Sequence, residues 1–254
     1  ILDGLQHDGL TDVYCNQAMG VLGDKCASEY NFSREDQDNY AIQSYKRASN
    51  AWKENKFKEE VIPVEITLRN GKKVIIKEDE EFKNINFEKV SQLRPAFAKD
   101  GTVTAANAST LSDGASAIVL MSKEKCSELN LTPIATIKYY CDAAQDPEWF
   151  TTAPSIAVNK ILSETGMNIK DIDFFEFNEA FSVVALANMK ILDIKDNIVN
   201  IHGGAVSLGH PLGCSGARIL TTLCHVLIQN KAKRGVAAIC NGGGGASAIL
   251  IERN

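Results

Sequence analysis

Three short motifs, each directly after a predicted strand, carry side chains that could do chemistry at one site. They are Asn178-Glu-Ala-Phe181, Gly209-His210-Pro-Leu-Gly-Cys-Ser-Gly216 and Cys240-Asn-Gly-Gly-Gly-Gly245. In layered α/β folds, groups beyond the carboxyl ends of strands converge on one crevice. A thiol there can act as base or nucleophile once ionised, an imidazole as acid or base, and an amide can hold a water. The backbone of the four glycines can present N–H groups to an anion.

Each motif also has a purely structural explanation. Asn178 could cap a helix that begins at Ala180, and Cys240 could be a small core residue. The glycines after Cys240 could form a turn between two strands, and those around His210 a tight strand-to-helix turn with a surface histidine. We favour one shared site over three coincidences at three strand ends.

Composition bounds the class of protein. The chain has 254 residues, 44% of them hydrophobic and 23% charged, as is typical of a globular protein. Its net charge of −5 argues against a general nucleic-acid or membrane-surface binder. No apolar run is long enough to span a bilayer and no signal segment is recognisable, so we expect neither nucleic acid nor membrane as a partner.

The cysteines and histidines do not form a metal motif. The seven cysteines include no CxxC pair, and the four histidines show no HxxxH spacing. We interpret the cysteines as free thiols in a reducing compartment. The chain opens on Ile1 and not on methionine, and Ile1-Leu2-Asp3-Gly4 resembles the tail of a helix, so we expect it to be cut from a longer protein.

Residues 1–112 predict a loop-rich part. A short helix is expected from about Met19 to Tyr30. Ser33-Arg-Glu-Asp36 resembles a capping box before a helix whose apolar stripe includes Tyr45. The segments VEITLR and KKVIIK, joined by Asn70-Gly71, predict a β-hairpin with a two-residue type I′ turn.

From Asp113 onward, strand and helix patterns alternate, which indicates a layered α/β domain over residues 113–254. The predicted strands are 115–121, 134–143, 174–177, 236–240 and 246–252, and a short apolar run, 198–201, leads into the His210 turn. The predicted helices are one that ends at Leu129, 154–165, 180–192 and the one within 198–229 that follows the His210 turn. We place a domain boundary near residue 112.

The motifs together resemble those of thiolases. The three motifs occur in the family's order, and Gly101-Thr-Val-Thr-Ala-Ala-Asn-Ala-Ser-Thr-Leu-Ser-Asp-Gly114 and Asp8-Gly-Leu-Thr-Asp12 match as well. The resemblance covers essentially the whole chain and is closest to the eukaryotic acetoacetyl-CoA type, the acetyl-CoA C-acetyltransferases. It implies a thiolase-like layered αβα fold, here its C-terminal half, plus an α+β loop domain that binds coenzyme A.

Some features of the family are missing or changed. Thiolases carry a nucleophilic cysteine in a Cys-Ala-Ser-Gly motif, within a first α/β half upstream of the residues present here. We interpret Cys26-Ala-Ser28 as a decoy of that motif and expect this polypeptide to be inactive on its own. Ala18 stands where a histidine usually precedes Met19, and Asn84-Ile-Asn86 where a basic residue is often found. Both changes predict weaker contacts with coenzyme A.

The resemblance implies catalytic roles for four residues in the reversible Claisen condensation of two acetyl-CoA molecules. His210 would deprotonate the nucleophilic cysteine, and Cys240 would remove the α-proton of the second thioester. His210 Nε2 and a water held by Asn178 would form one oxyanion hole. The N–H of Gly242 would contribute to the other.

The resemblance also implies a grip on coenzyme A and a potassium site. The residues expected to contact coenzyme A are Leu10, Met19, Tyr45, Lys89, Phe97, Ala105, Ser109, Ala180 and Phe181. The residues expected to bind K⁺ are Tyr45, Ala105, Ala106, Ala108 and Val206. Carbonyl-rich oxygen ligation of this kind suits a hard cation. No organic prosthetic group is expected, because the coenzyme A thioesters are substrates.

Two other functions stay open. One is a degradative 3-oxoacyl-CoA thiolase for longer chains, against which the match to the potassium site argues. The other is a non-catalytic module for CoA binding or oligomerisation. Because thiolases are typically dimers or tetramers, we expect a homodimer or homotetramer, in the cytoplasm or the mitochondrion.

Overall fold

The structure, a computed structural model, describes residues 1–254. The α-helices are α1 Gly4–Gly9, α2 Met19–Glu29, α3 Arg34–Lys53, α4 Lys123–Glu128, α5 Ala153–Thr165, α6 Ser182–Leu192, α7 Ala205–Leu208 and α8 Ser215–Gln229. The strands are β1 Thr11–Asp12, β2 Gln17–Ala18, β3 Val64–Thr67, β4 Lys73–Ile76, β5 Ala135–Ala144, β6 Phe174–Phe177, β7 Arg234–Asn241 and β8 Gly245–Arg253. None of these helices is both long enough and apolar enough to cross a membrane.

A four-stranded sheet carries the main core of the molecule. Its strand order is β5-β8-β7-β6, in which β6 and β7 run parallel and the other neighbours antiparallel. Helix α5 packs on one face of the sheet and helix α8 on the other. This αβα layering confirms the α/β class that the alternating patterns predict.

Side chains along β7 alternate between the two faces of the sheet, as the two-residue period of a strand requires. Val236 and Ala238 belong to the cluster beneath α5, whereas Ala237 joins Leu223 and Ile251 in the cluster beneath α8. Because both faces are covered, the strand is apolar nearly throughout. The carboxyl ends of β6 and β7 therefore emerge side by side from a well-packed core.

Helix α3 begins with the predicted capping box. Ser33 Oγ accepts a hydrogen bond from the Asp36 N–H at 3.0 Å, and the Asp36 carboxylate accepts one from the Ser33 N–H at 2.8 Å. These bonds satisfy donors that the first turn of a helix leaves free. The buried stripe of the helix includes Tyr45 and Ala48, as its periodicity predicts.

The β3–β4 hairpin lies where the sequence predicts it, but its turn differs from the predicted type I′. That turn needs positive φ at both central residues, and only Gly71 has it, at +80°. The Leu68 N–H donates to the Lys72 carbonyl, and the Gly71 N–H to the Leu68 carbonyl, each at 2.8 Å. The turn is therefore a three-residue loop, 69–71, closed by one left-handed glycine.

Two further predictions are wrong. Residues 115–121 form no strand, because no other segment of the chain pairs with their backbone, and Val119 and Leu120 are exposed. An apolar alternating pattern becomes a strand only when a partner accepts its hydrogen bonds. Asp3 caps helix α1 by accepting a hydrogen bond from the Leu5 N–H at 3.0 Å, so residues 1–3 precede a helix and do not end one.

We expect Gly244→Ala to destabilise the fold by about 3 kcal/mol or more. Gly244 has φ +81°, and an added Cβ would meet the carbonyl oxygen of Gln145, so left-handed strain and a backbone clash add together. Gly71→Ala is the matched control, since Gly71 has φ +80° with nothing within 4 Å of an added Cβ. It should cost only about 1–2 kcal/mol. Urea unfolding measures both; equal losses would contradict the clash.

Candidate active site

Asn178 and His210 are in direct contact beyond the carboxyl end of β6. The backbone N–H of Asn178 donates to the Ala238 carbonyl on β7 at 3.0 Å, which continues the parallel pairing by one residue. Its side-chain Nδ2 lies 3.2 Å from His210 Nε2. Asn178 does not cap the following helix, because α6 begins at Ser182 and not at Ala180. The strand end therefore aims the amide at the imidazole.

Cys240 lies on the neighbouring strand, two residues beyond the carbonyl that Asn178 contacts. Its side chain is buried, and this burial raises the pKa of the Cys240 thiol from 9.0 to about 12. The thiol therefore keeps its proton in the resting site. Its thiolate, once formed, is a stronger base than an ordinary thiolate.

The glycines after Cys240 form a tight turn between β7 and β8. Gly243 and Gly244 have φ near +80°, at +83° and +81°. The N–H of Gly243 donates to the Asp12 carboxylate at 3.2 Å. An added Cβ on Gly242 would lie 3.9 Å from the end of the Met19 side chain. The glycines of this motif thus form a turn between two strands, and this turn places Gly242 next to Met19, one of the residues predicted to contact coenzyme A.

His210 is held as a neutral imidazole. Burial of the ring, with a smaller contribution from the Arg218 charge, lowers the pKa of His210 from 6.5 to about 4. Its Nδ1 lies 2.6 Å from Ser215 Oγ, and its backbone N–H donates to the Thr110 carbonyl at 3.0 Å. A neutral imidazole that is fixed at three points can serve as a proton acceptor near pH 7.

The low pKa of His210 predicts the pH below which kcat/KM falls. The neutral form of His210 persists as the pH falls through 6.5 and is lost only near pH 4. We expect kcat/KM of the full-length protein to fall with an apparent pKa well below 6.5. The unfolded chain binds this proton at higher pH than the folded one, so folding stability should also decline as the pH falls from 6.5 towards 4. A histidine titration by NMR measures the pKa of His210 on which both expectations rest. An acid limb of kcat/KM at pH 6.5 would contradict them.

An apolar surface borders these groups. The rings of Phe97 and Phe181 meet edge to face with centroids 6.0 Å apart. Phe97 lies directly on Gly20, where a Cβ would collide with the ring. Met19 and Ala180 pack against the cluster that contains Phe181 and Cys240. Four of the nine residues predicted to contact coenzyme A thus lie in one patch. Ser109 joins it as the fifth by donating twice to the Ala180 carbonyl, at 2.9 and 3.0 Å.

The other predicted contacts are less clearly joined to this patch. Leu10 touches it through its carbonyl, which accepts from the Met19 N–H at 2.9 Å. Lys89 and Ala105 are exposed, and Lys89 forms no ion pair. Tyr45 is buried in a separate cluster under α3. Their roles stay predictions.

The residues predicted to bind K⁺ fit a hard cation in one respect. Tyr45 and Val206 belong to the same small cluster. The carbonyl oxygens of Ala105, Ala106 and Ala108 accept no hydrogen bond within the chain, which leaves them free for a ligand that prefers oxygen. No geometry of coordination follows from this, and the site stays a prediction.

Two buried carboxylates, those of Glu179 and Asp12, are not singled out by the sequence patterns as individual functional residues. Glu179 accepts hydrogen bonds from Tyr40, Ser44 and Asn200 side chains and from the Val206 N–H, at 2.8 to 3.1 Å. Asp12 joins the Gly243 turn to the N–H groups of residues 14 and 15. The signal was present, because both acids lie inside motifs quoted for the family resemblance.

Cys26, which imitates the nucleophile motif, lies inside helix α2. Its side chain is fully buried, and that burial raises the pKa of the Cys26 thiol to about 11. A thiol in that state is a poor nucleophile. Its environment agrees with the interpretation of the Cys26 motif as a decoy.

Comparisons with known proteins agree with this arrangement. The thiolase N-terminal domain family matches residues 1–124, and the thiolase C-terminal domain family matches residues 131–253. The chain belongs to the thiolase family, and its fold is the thiolase fold.

Relatives with assigned names cover the whole chain. Acetyl-CoA acetyltransferase of Schizosaccharomyces pombe is 54% identical over 254 residues, which is 100% of this chain and 64% of the relative. A cytosolic acetyl-CoA acetyltransferase of Gibberella zeae is 50% identical over 99% of this chain and 64% of its own length. The chain thus spans less than two thirds of these relatives.

Solved structures show the same fold. The Ascaris suum thiolase Acat5 in complex with coenzyme A superposes with a TM-score of 0.91 at 48% identity, over 100% of this chain and 64% of that one. Human mitochondrial 3-ketoacyl-CoA thiolase superposes with a TM-score of 0.92 at 35% identity, over 99% of this chain and 64% of that one.

Proposed function

We propose that this chain supplies most of the active site of an acetyl-CoA C-acetyltransferase, which condenses two acetyl-CoA molecules reversibly to acetoacetyl-CoA and CoA. The observation that carries the proposal is the contact between Asn178 and His210 beyond the end of β6, next to strand β7, which carries the buried thiol of Cys240. Relatives named acetyl-CoA acetyltransferase, at 50–54% identity, support it.

The first half-reaction moves an acetyl group onto a cysteine. Thiolases carry that cysteine in a Cys-Ala-Ser-Gly motif, which residues 1–254 do not contain. His210 Nε2 takes the proton of its thiol, and the thiolate attacks the thioester carbonyl. Cys240 gives its own proton to the leaving CoA thiolate. The products are the acetylated cysteine, free CoA, an imidazolium and a Cys240 thiolate, so the protons balance.

The second half-reaction uses the charges that the first one leaves. The Cys240 thiolate removes an α-proton from the second acetyl-CoA, and its high pKa suits so weak an acid. The imidazolium donates from Nε2 to the enolate oxygen. Asn178 Oδ1 is buried without a partner in the chain and can accept from a water that also donates to that oxygen. The enolate then attacks the acetylated cysteine, and the released thiolate regains its proton from His210.

The oxyanion of acyl transfer needs its own donors. The N–H of Gly242, at the start of the glycine turn, is the donor that this chain would supply. The Asp12 carboxylate accepts a hydrogen bond from the N–H of Gly243, the next residue of the turn, and this contact restricts the direction of the Gly242 N–H. Preorganised donors of this kind are worth roughly 10²–10³ in rate each.

We also propose how the substrate is held. The patch of Met19, Phe97 and Phe181 would line a dry channel for the apolar arm of coenzyme A, and residues 1–112 would form the CoA-binding domain next to the α/β domain 113–254.

The potassium ion would be held by the free carbonyl oxygens of Ala105, Ala106 and Ala108, together with Tyr45 and Val206. Thermal unfolding in K⁺ against Na⁺, compared between wild type and Tyr45→Phe, tests this site.

The protein is further proposed to be a homodimer or homotetramer in the cytosol. The β3–β4 hairpin exposes apolar side chains on both strands, including Val64, Ile66 and Ile75, which suits burial against another copy. The name of the Gibberella zeae relative favours the cytosol over the mitochondrion. Light scattering of the full-length protein and microscopy of a tagged form test the two statements.

Thiolytic cleavage of acetoacetyl-CoA by the purified full-length protein tests the proposed function. We expect cleavage that requires CoA and prefers the four-carbon substrate. A clear preference for longer 3-oxoacyl chains would favour the degradative thiolase. Tight CoA binding without turnover would favour the non-catalytic module.

A further inference from the structure

Each ring nitrogen of His210 has one partner within the chain. Nδ1 lies 2.6 Å from the hydroxyl oxygen of Ser215, and Nε2 lies 3.2 Å from the amide nitrogen of Asn178. Ser215 is fully buried at the first residue of helix α8, so no bulk water competes for its hydroxyl. The protonation pattern of the imidazole therefore depends on these two neighbours.

The hydroxyl hydrogen of Ser215 has a fixed destination. Ser215 Oγ lies 3.1 Å from the carbonyl oxygen of Pro211, which can only accept. When that carbonyl takes the single hydroxyl hydrogen, Oγ is left as an acceptor towards His210. Nδ1 must then carry a proton to complete the 2.6 Å contact.

The other side of the ring gives the same answer. An amide nitrogen can only donate, so Asn178 Nδ2 requires a bare Nε2. The opposite tautomer would need Ser215 to abandon Pro211 and donate to Nδ1, with the Asn178 amide turned over. Two independent neighbours thus favour the tautomer with hydrogen on Nδ1.

We propose that Ser215 is a positioning residue that keeps Nδ1 of His210 protonated, so that the proton gained and lost during reaction travels only through Nε2. The inference rests on the proposed function, in which His210 is the proton acceptor, and it identifies the residue that sets the tautomer of that acceptor. In acyl transfer the S–H bond of the nucleophile breaks and the Nε2–H bond forms. The Nδ1–H bond to Ser215 persists in both charge states of the ring.

A neutral hydroxyl is well suited to this task. A carboxylate at the same place would also hold Nδ1–H, but its charge would stabilise the imidazolium and raise the pKa of His210. The hydroxyl fixes the tautomer without adding charge. The only charge acting on His210 from the same helix is that of Arg218, which opposes protonation.

The tautomer is measured by NMR of the full-length protein labelled with ¹⁵N-histidine, because protonated and bare ring nitrogens of a neutral imidazole give well-separated signals. The His210 signals are assigned by their loss in His210→Asn. We expect Nδ1 protonated and Nε2 bare at pH 7 in wild type, and a shift towards protonated Nε2 in Ser215→Ala. A bare Nδ1 in wild type, or unchanged signals in Ser215→Ala, would overturn the proposal.

Kinetics provide a second readout. Ser215→Ala should lower kcat roughly 10–100-fold, as loss of a partner that orients a histidine typically does, with KM nearly unchanged. Gly216→Ala is the matched control on the same helical turn, since an added Cβ there meets nothing within 4 Å. An unchanged kcat in Ser215→Ala would overturn the inference. The NMR result stands whether or not acetyl-CoA is the substrate, so the two proposals fail separately.

Discussion

Cys240→Ala in the full-length protein is expected to slow the condensation of acetyl-CoA by roughly 10²–10⁴-fold, the range lost with a general base. The buried thiol of Cys240 lies near the end of β7, next to the end of β6 from which Asn178 contacts His210, and a thiolate there can remove an α-proton. Transfer of the acetyl group to CoA should fall less, because water can protonate a leaving thiolate. The most specific readout is exchange of the acetyl methyl hydrogens with deuterated water.

Cys141→Ala is the matched control for that experiment. Cys141 lies on β5 of the same sheet, with 9% of its surface exposed, as for Cys240. Its thiol donates to the Ala157 carbonyl and faces helix α5, away from the site. The control should lose some stability and keep methyl exchange. Exchange at the wild-type rate in Cys240→Ala would remove this residue from the role of base.

His210→Asn should slow both half-reactions, acyl transfer by roughly 10²–10⁴-fold and the condensation by roughly 10²–10³-fold. The imidazole accepts the proton of the nucleophile in the first step and stabilises the enolate in the second, so each step loses one function. Asparagine fills part of the ring volume, so the fold should survive. Steady-state cleavage of acetoacetyl-CoA and acetyl exchange with labelled CoA measure the two steps separately.

His225→Asn serves as the control for loss of a histidine. His225 lies on helix α8, half-buried and outside the site, and should be nearly silent in both assays. If His210→Asn slowed only the condensation and left acetyl exchange intact, His210 would be an oxyanion donor without being the proton acceptor. That outcome would refute the first half-reaction as written.

Much of the fold follows from local rules. The strand 174–177 has the predicted bounds because its short run of phenylalanines lies between polar residues, and β7 supplies the partner that the strand needs. The Ser33 capping box is likewise local, since all its bonds join residues three apart. Residues 115–121 were mispredicted because a strand depends on a partner, which no periodicity supplies.

The site was predictable in outline and not in its hydrogen bonds. Parallel strands bring their carboxyl ends together, so the proximity of Asn178 and Cys240 follows once β6 and β7 are recognised. The spacing of His210 and Ser215 gave no sign that the hydroxyl would face Nδ1, because that depends on how the Pro211 turn enters helix α8. Glu179 lies inside a quoted motif, but its hydrogen-bond partners do not follow from the motif, because the donors come from three distant segments.

The central claim is that an amide, an imidazole and a thiol act on the same thioester. A crystal structure of the full-length protein with an unreactive analogue of acetyl-CoA tests it most directly. We predict the acyl oxygen within about 2.7–3.2 Å of His210 Nε2, close to a water on Asn178, with the methyl carbon in contact with Cys240 Sγ. An acyl group bound away from any one of these three side chains would contradict the claim.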